Sequence, residues 1–207
     1  MADRSRSSDE NYGKQIEALR REKDHFFHED PDSPIPWELR EKFQGLAHFP
    51  PNQRYRLKVK LHRYPKPEPV VFATSKGVPR DMLKVGYFEF TIDGQTRRLQ
   101  AYKSVPMAGE REDESLFVPF RDSTGGKESY PAGRYLDLPV TKNDEYVLDF
   151  NLAYNPYCAY NDAYICPLPP RENWLDIRIE AGEKNFPLEE LKAQLEKEGK
   201  PLGHHHH

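Results

Sequence analysis

Apolar residues recur at helical spacing only near the two ends of this chain, and at a period of two through most of the stretch between. From Tyr12 to about His28, Ile16, Leu19, Phe26 and Phe27 share one helical face while charges fill the rest, which predicts an amphipathic helix. Asp30-Pro31 through Pro36 interrupts it. Ser33 and Pro34 then open a short second helix carrying Trp37, Leu39, Phe43 and Leu46, weakened or closed by Gly45. Beyond Phe49-Pro50-Pro51 the alternation predicts strands at Tyr55 to Leu61, Val70 to Thr74, Val85 to Ile92, Thr96 to Tyr102, Leu116 to Phe120, Gly133 to Leu138, Tyr146 to Phe150 and Leu175 to Glu180. Pro187 followed by Glu189, Glu190 and Leu191, with Leu195 on the same face and Lys197 late, predicts a terminal helix.

No helix-length segment separates the strands, so the pattern predicts a mainly β fold. The expected form is an antiparallel barrel or sandwich of about eight strands with N-terminal and C-terminal helices. Asp93-Gly94 supplies the positive φ angles of a type I′ turn and sets a hairpin between its flanking strands. The expected organisation is a disordered lead-in at 1–11, a helical segment at 12–48, a β domain at 49–184 and a C-terminal helix at 185–203. Residues 204–207 have the form of a purification-tag remnant and stay out of any metal argument. Within the β domain, 151–173 is too rich in Pro, Asn and Tyr for a regular element and reads as a long ordered loop.

Charge changes the picture only by exclusion. Lys and Arg number 31 against 34 Asp and Glu, so no global field draws the chain to nucleic acid or to anionic membranes. The one basic run, Arg54, Arg56, Lys58, Lys60 and Arg63, alternates with Tyr55, Leu57, Val59 and Leu61, as the solvated face of a strand does. The polar opening residues lack a signal-peptide core and no membrane-length apolar run occurs, so a cytoplasmic location is expected.

Motifs that announce chemistry are sparse. Phosphate-cradling, dinucleotide, zinc-protease and nucleophile-elbow signatures are absent, and Gly125-Gly126-Lys127 has turn spacing. His25 and His28 could face one metal but have no further nearby ligands, so neither a metal nor a cofactor is expected. Cys158 and Cys166 read first as reduced, buried structural thiols, with a disulfide second and a catalytic thiol third.

The densest polar block runs through Phe120-Arg121-Asp122, Tyr130, Ala132-Gly133-Arg134-Tyr135, Asp149-Phe150-Asn151, Tyr154-Asn155-Pro156, Cys158-Ala159-Tyr160, Cys166-Pro167, Pro169-Pro170, Glu172-Asn173 and Ala181-Gly182-Glu183. Its segments FVPFRD, GRYLDL, DFNLAYNPYCAY and CPLPPREN resemble, in order and spacing, the prokaryotic family known as domain of unknown function 1684. The resemblance extends upstream to DSPIPWELREKFQGLAHFPP and covers most of residues 20 to 184. Ser129-Tyr130-Pro131 departs from the family's more usual Thr-Tyr-Gly. The resemblance implies a β-rich fold and no established activity.

Two readings of the block stand. Arg121 and Arg134 could offer bidentate recognition of a carboxylate or phosphate beside Asp149, Asn151 and tyrosines 154, 157, 160 and 164. Alternatively, Arg121, Arg134, Asp122, Asp149 and Glu172 pair among themselves and satisfy an irregular backbone. Candidate ligand-binding residues are therefore Arg121, Asp122, Tyr130, Arg134, Tyr135, Asp149, Asn151, Tyr154, Asn155, Cys158, Glu172 and Asn173. Three function classes follow in order: a barrel binding a polar or anionic small molecule, a hydrolase-type enzyme using Asp149, Glu172 or Cys158, and a protein-interaction module.

Overall fold

The computed structural model describes residues 2–106, 108–111, 114–200 and 202. Helix α1 spans Ala2–Glu29 and the single-turn α2 spans Trp37–Arg40. Six strands follow: β1 Arg56–Phe72, β2 Arg80–Ile92, β3 Gln95–Ser104, β4 Ser115–Phe120, β5 Arg134–Pro139 and β6 Glu145–Asp149. Helix α3, Leu188–Lys197, comes last. The strands lie in the order β5-β4-β3-β2-β1-β6, every pair antiparallel, and form a nearly closed barrel. Asp93 (φ 50°) and Gly94 (φ 76°) make the expected tight turn, with Ile92 opposite Gln95.

Six strands replace the eight expected, for two physical reasons. The segments at 55–61 and 70–74 fuse into β1, whose intervening Pro65, Pro67 and Pro69 cannot donate to a ladder. A register shift between Arg63 and Glu68 absorbs the mismatch. The segment at 175–180 keeps its alternation: Leu175, Ile177, Ile179 and Ala181 are buried in the barrel core between exposed neighbours. It joins none of the six-stranded sheet's ladders: its first residues pair with the chain just after β4, Leu175 N donating to Arg121 O at 2.7 Å and Ser123 N to Ile177 O at 2.9 Å, and side chains hold its later backbone. Arg134 donates to the carbonyls of Ile179, Ala181 and Glu183, and Asp122 Oδ2 accepts from Ile179 N at 2.7 Å.

Two further expectations are corrected at the N-terminus. The 1–11 segment, expected as disordered lead-in, is helical from Ala2, since extending an existing helix adds a hydrogen bond per residue without a new nucleus. The second helix shrinks to four residues, and Phe43 is buried outside it. A satellite core joins Phe27, Ile35, Leu39, Phe43, Tyr160, Phe186 and Leu195, which clamps the helices to the long loop. That loop contains three one-turn helical pieces, at 150–152, 157–159 and 171–173. No helix among the described residues is long and apolar enough to cross a membrane.

Candidate functional site

Helix α1 lies against one end of the barrel, and the contact is polar where it begins. Asp149 closes β6 and caps the following turn, its Oδ1 accepting from Asn151 N at 3.0 Å and from Asn151 Nδ2 at 2.9 Å. Tyr12 of α1 donates its hydroxyl to Asp149 Oδ2 at 2.5 Å, with the Arg56 guanidinium 5.9 Å from its ring centre. Burial, and then Asp149, push the Tyr12 phenol well above its ordinary range, so it stays a donor at neutral pH. Asn151 also exchanges two hydrogen bonds with the backbone of Asn52, which ties the β6 exit to the entry of β1.

An open groove of about 650 Å³ runs beside this contact, between the first turns of α1 and the barrel end at Arg56 and Asp149. Ile16, Leu19 and Leu152 also line a second, smaller cavity of about 80 Å³ farther along the helix, bounded by Arg20, Lys23, His48 and Glu183. Glu183 is 2% exposed and accepts from Asn155 N (2.8 Å), from the Tyr160 hydroxyl (2.6 Å) and from Lys23 Nζ. It is held in place because residues 47–49 pair with 182–184, through Phe49 N to Gly182 O and Lys184 N to Ala47 O.

His48 Nδ1 lies 3.2 Å from the Leu46 carbonyl, which can only accept, so the neutral ring carries its proton there and leaves Nε2 as an acceptor. Burial, and then the Arg20 charge, lower its pKa to about 4. The unfolded chain, with an ordinary histidine near 6.5, therefore binds more protons than the folded one between about pH 4 and 6.5. Stability from this group is complete above that window and lost as pH falls through it. Urea denaturation at pH 7 and pH 4.5 is expected to show a smaller acid loss in His48→Gln than in the parent chain.

Arg20 is the outlier of the site. Its guanidinium makes no hydrogen bond or ion pair among the described residues, and its Nε and Nη2 are out of solvent reach. Burial lowers its pKa, partly offset by attraction to Tyr12, Glu17, Glu183 and Asp149. A guanidinium withdrawn from water without a hydrogen-bonded counter-ion keeps a desolvation cost that more distant carboxylates offset only in part.

Of the residues singled out from sequence, the structure brings Asp149, Asn151 and Tyr154 to this end of the barrel, with Asn155 joined through Glu183. It does not bring Arg121 and Arg134 together with them. Arg134 is 1% exposed, with Asp122 Oδ1 at 3.1 Å and three carbonyls around its two terminal nitrogens. Arg121 stacks on Trp174, 4.5 Å from the ring centre. Asn173 is fully buried and substitutes for a strand: it exchanges hydrogen bonds with Gln100 and donates to Pro119 O where β3 and β4 diverge. Glu172 accepts from Tyr102 and from Lys84. Tyr135 donates to Pro167 O, Tyr154 to Asp137, and Tyr130 lies 3.5 Å from Cys158 Sγ.

Sequence reasoning missed Tyr12, Arg20, Lys23, His48 and Arg56, and placed Glu183 in the dense block without choosing it as a site residue. A signal existed for the helical ones, since Tyr12, Ile16, Arg20 and Lys23 follow one another at spacings of four, four and three on a single face. The basic run at 54–63 has the solvated-strand geometry expected, Arg56, Lys58 and Lys60 being exposed between inward-leaning neighbours.

Comparison with known proteins gives the lineage. The solution NMR structure of an uncharacterised protein from Haloarcula marismortui, gene locus rrnAC0354, is 42% identical. The match has a TM-score of 0.64 and covers 86% of this chain and 96% of that one. No curated protein matches the chain. The family model described as "Protein of unknown function (DUF1684)" matches residues 41–184, which takes in the barrel side of the cleft and leaves α1 outside. With most of its length matched, the chain belongs to the DUF1684 family.

Proposed function

We propose that the chain binds a small anionic molecule between α1 and the barrel end, with the ligand's carboxylate or phosphate group on Arg20 and its body in the adjoining groove. The observation that carries this reading is the half-buried Arg20 guanidinium, which has no hydrogen-bond or ion-pair partner among the described residues. Arg134 shows the contrast within the same molecule: its charge is matched by Asp122. The cavity beside Arg20, about 80 Å³, has the liquid volume of two to three waters at roughly 30 Å³ each, enough for one oxyanion group. The groove of about 650 Å³ is within the size range of small-molecule sites. His48 Nε2 adds a neutral acceptor, which suits a ligand with a hydroxyl or a protonated oxygen.

A carboxylate-driven hydrolase finds less support in this geometry. Asp149 already accepts three hydrogen bonds and Glu183 another three, so neither is a free base.

Calorimetric titration of the full chain with inorganic phosphate and, separately, with acetate is the test. Saturable binding of at least one is expected, weakened tenfold or more in Arg20→Gln, on the scale of about 1.5–3 kcal/mol for a charge-assisted hydrogen bond. The same substitution is expected to leave the ligand-free chain as stable as before or slightly more so, because it removes a half-buried charge that is only partly compensated. Equal binding by Arg20→Gln, or no binding of either anion to the parent chain, would overturn the proposal.

A further inference from the structure

We propose that Cys158 and Cys166 are a redox-active pair that hydroperoxides convert to an intramolecular disulfide. Both thiols are free and buried, and the fold holds them against each other from both sides. Cys158 sits in the one-turn helix at 157–159, where its backbone N–H donates to Cys166 Sγ at 3.3 Å. Cys166 is fixed to the barrel: its N–H donates to Ser75 Oγ at 3.0 Å, its carbonyl accepts from Ser75 N at 3.0 Å, and the next carbonyl accepts from Tyr135. The Tyr130 hydroxyl approaches Cys158 Sγ at 3.5 Å from the other direction. Cys158 Sγ thus has the Tyr130 hydroxyl within hydrogen-bond reach, and Cys166 Sγ has the Cys158 N–H.

The electrostatics follow that geometry. The hydrogen bond from Cys166, and then that from Tyr130, lower the Cys158 thiol to about 6, while the same thiol contact and burial raise Cys166. The direction favours Cys158 as the nucleophile and Cys166 as the resolving thiol.

The chemistry balances with a hydroperoxide as oxidant. The Cys158 thiolate attacks one peroxide oxygen and the O–O bond breaks. The leaving oxygen takes up a proton as alcohol, or as water from hydrogen peroxide, and Cys158 becomes a sulfenic acid. Cys166 sulfur then attacks Cys158 sulfur, the S–O bond breaks, and hydroxide departs as water with the proton from Cys166. Two thiols lose two electrons and two protons, and the peroxide is reduced. The bond closes a loop over residues 159–165, which carry Asn161, Ala163 and Tyr164. These form one wall of a 380 Å³ groove opposite Trp37 and Arg40, so oxidation fixes that wall.

Intact-mass measurement on the reduced full chain after a slight molar excess of hydrogen peroxide is the decisive experiment. A product two hydrogens lighter is expected, with one peptide joining Cys158 to Cys166, reverting under dithiothreitol. Cys166→Ser should stop at a dimedone-reactive sulfenic acid on Cys158. Tyr130→Phe should slow oxidation several-fold at pH 6 and move the pH midpoint of the rate upward from about 6, which a purely structural tyrosine would not do. An unchanged mass, a disulfide between two chains, or oxygen added to Cys158 while Cys166 still alkylates would overturn the proposal. The mass shift of the unsubstituted chain decides this even if a variant fails to fold.

Discussion

Replacing Arg134 with methionine is expected to lower unfolding stability by about 3–5 kcal/mol, the scale for breaking a buried ion pair from one side. The side chain is 1% exposed and leaves Asp122, itself nearly inaccessible, as a buried carboxylate if removed. It also stands in for a missing strand, so the carbonyls of Ile179, Ala181 and Glu183 lose their donor together. Arg134→Lys should fall between, because one ammonium keeps the charge but cannot span the same fork of acceptors. The double change Arg134→Met with Asp122→Asn should recover part of the loss, since it removes both charges. Guanidinium denaturation of the four chains, compared at equal slope, measures the series. A loss below about 1 kcal/mol for Arg134→Met, the level of an exposed pair, would mean the guanidinium does not hold the 175–183 segment.

That network also explains how far the sequence could be read. Local signals were legible: Asp93-Gly94 specified its hairpin because a two-residue turn needs only neighbours. The alternation at 175–181 correctly gave which side chains are buried, but burial alternation says nothing about what takes the backbone hydrogen bonds. Here the backbone of 121–123 takes the first of them, and an arginine 45 residues upstream of Ile179 and an aspartate 57 upstream take later ones, and no local pattern marks that. Asn173 is the same case, an amide occupying the place of a ladder pair between β3 and β4. The prolines of β1 split one strand into two apparent ones, because a bulge that tolerates them is invisible until the partner strand is known.

The cleft was less legible than the fold for a related reason. Asp149, Asn151 and Tyr154 stood out in a dense motif, yet the groups that give the cleft its charge, Arg20 and Lys23, come from a helix 137 residues away along the Tyr12 to Asp149 contact. Which face of α1 meets the barrel depends on tertiary packing. Of the conspicuous arginines of the motif, Arg134 proved to be bonded to the protein and Arg121 to be stacked on Trp174, while the buried guanidinium nitrogens without a partner among the described residues lay in an ordinary charged helix.

Gly182→Ala should be the second most damaging of the substitutions considered, costing about 2–5 kcal/mol, and should weaken the cleft along with the fold. Gly182 has φ +80°, a left-handed backbone that costs a side-chain-bearing residue about 1–2 kcal/mol. A methyl group there would also stand 2.7 Å from the Ala153 carbonyl oxygen, 2.8 Å from the Ala153 Cβ and 2.8 Å from the Phe150 carbonyl oxygen. Those are backbone and short-side-chain atoms that cannot swing aside, and overpacking of this kind adds about 1–3 kcal/mol. Relief requires moving the 182–184 segment, whose Gly182 carbonyl accepts from Phe49 N and whose Glu183 forms the acidic wall beside Arg20. Gly77→Ala is the internal control, for Gly77 has nearly the same φ, +76°, with nothing within 4 Å of an added methyl. The difference between the two variants in denaturant midpoint, converted at a common slope, isolates the contact contribution from the backbone strain. Equal losses would show that the approach of Ala153 to residue 182 is easily relieved; a larger loss in Gly182→Ala, with weaker phosphate or acetate binding, is the expected result.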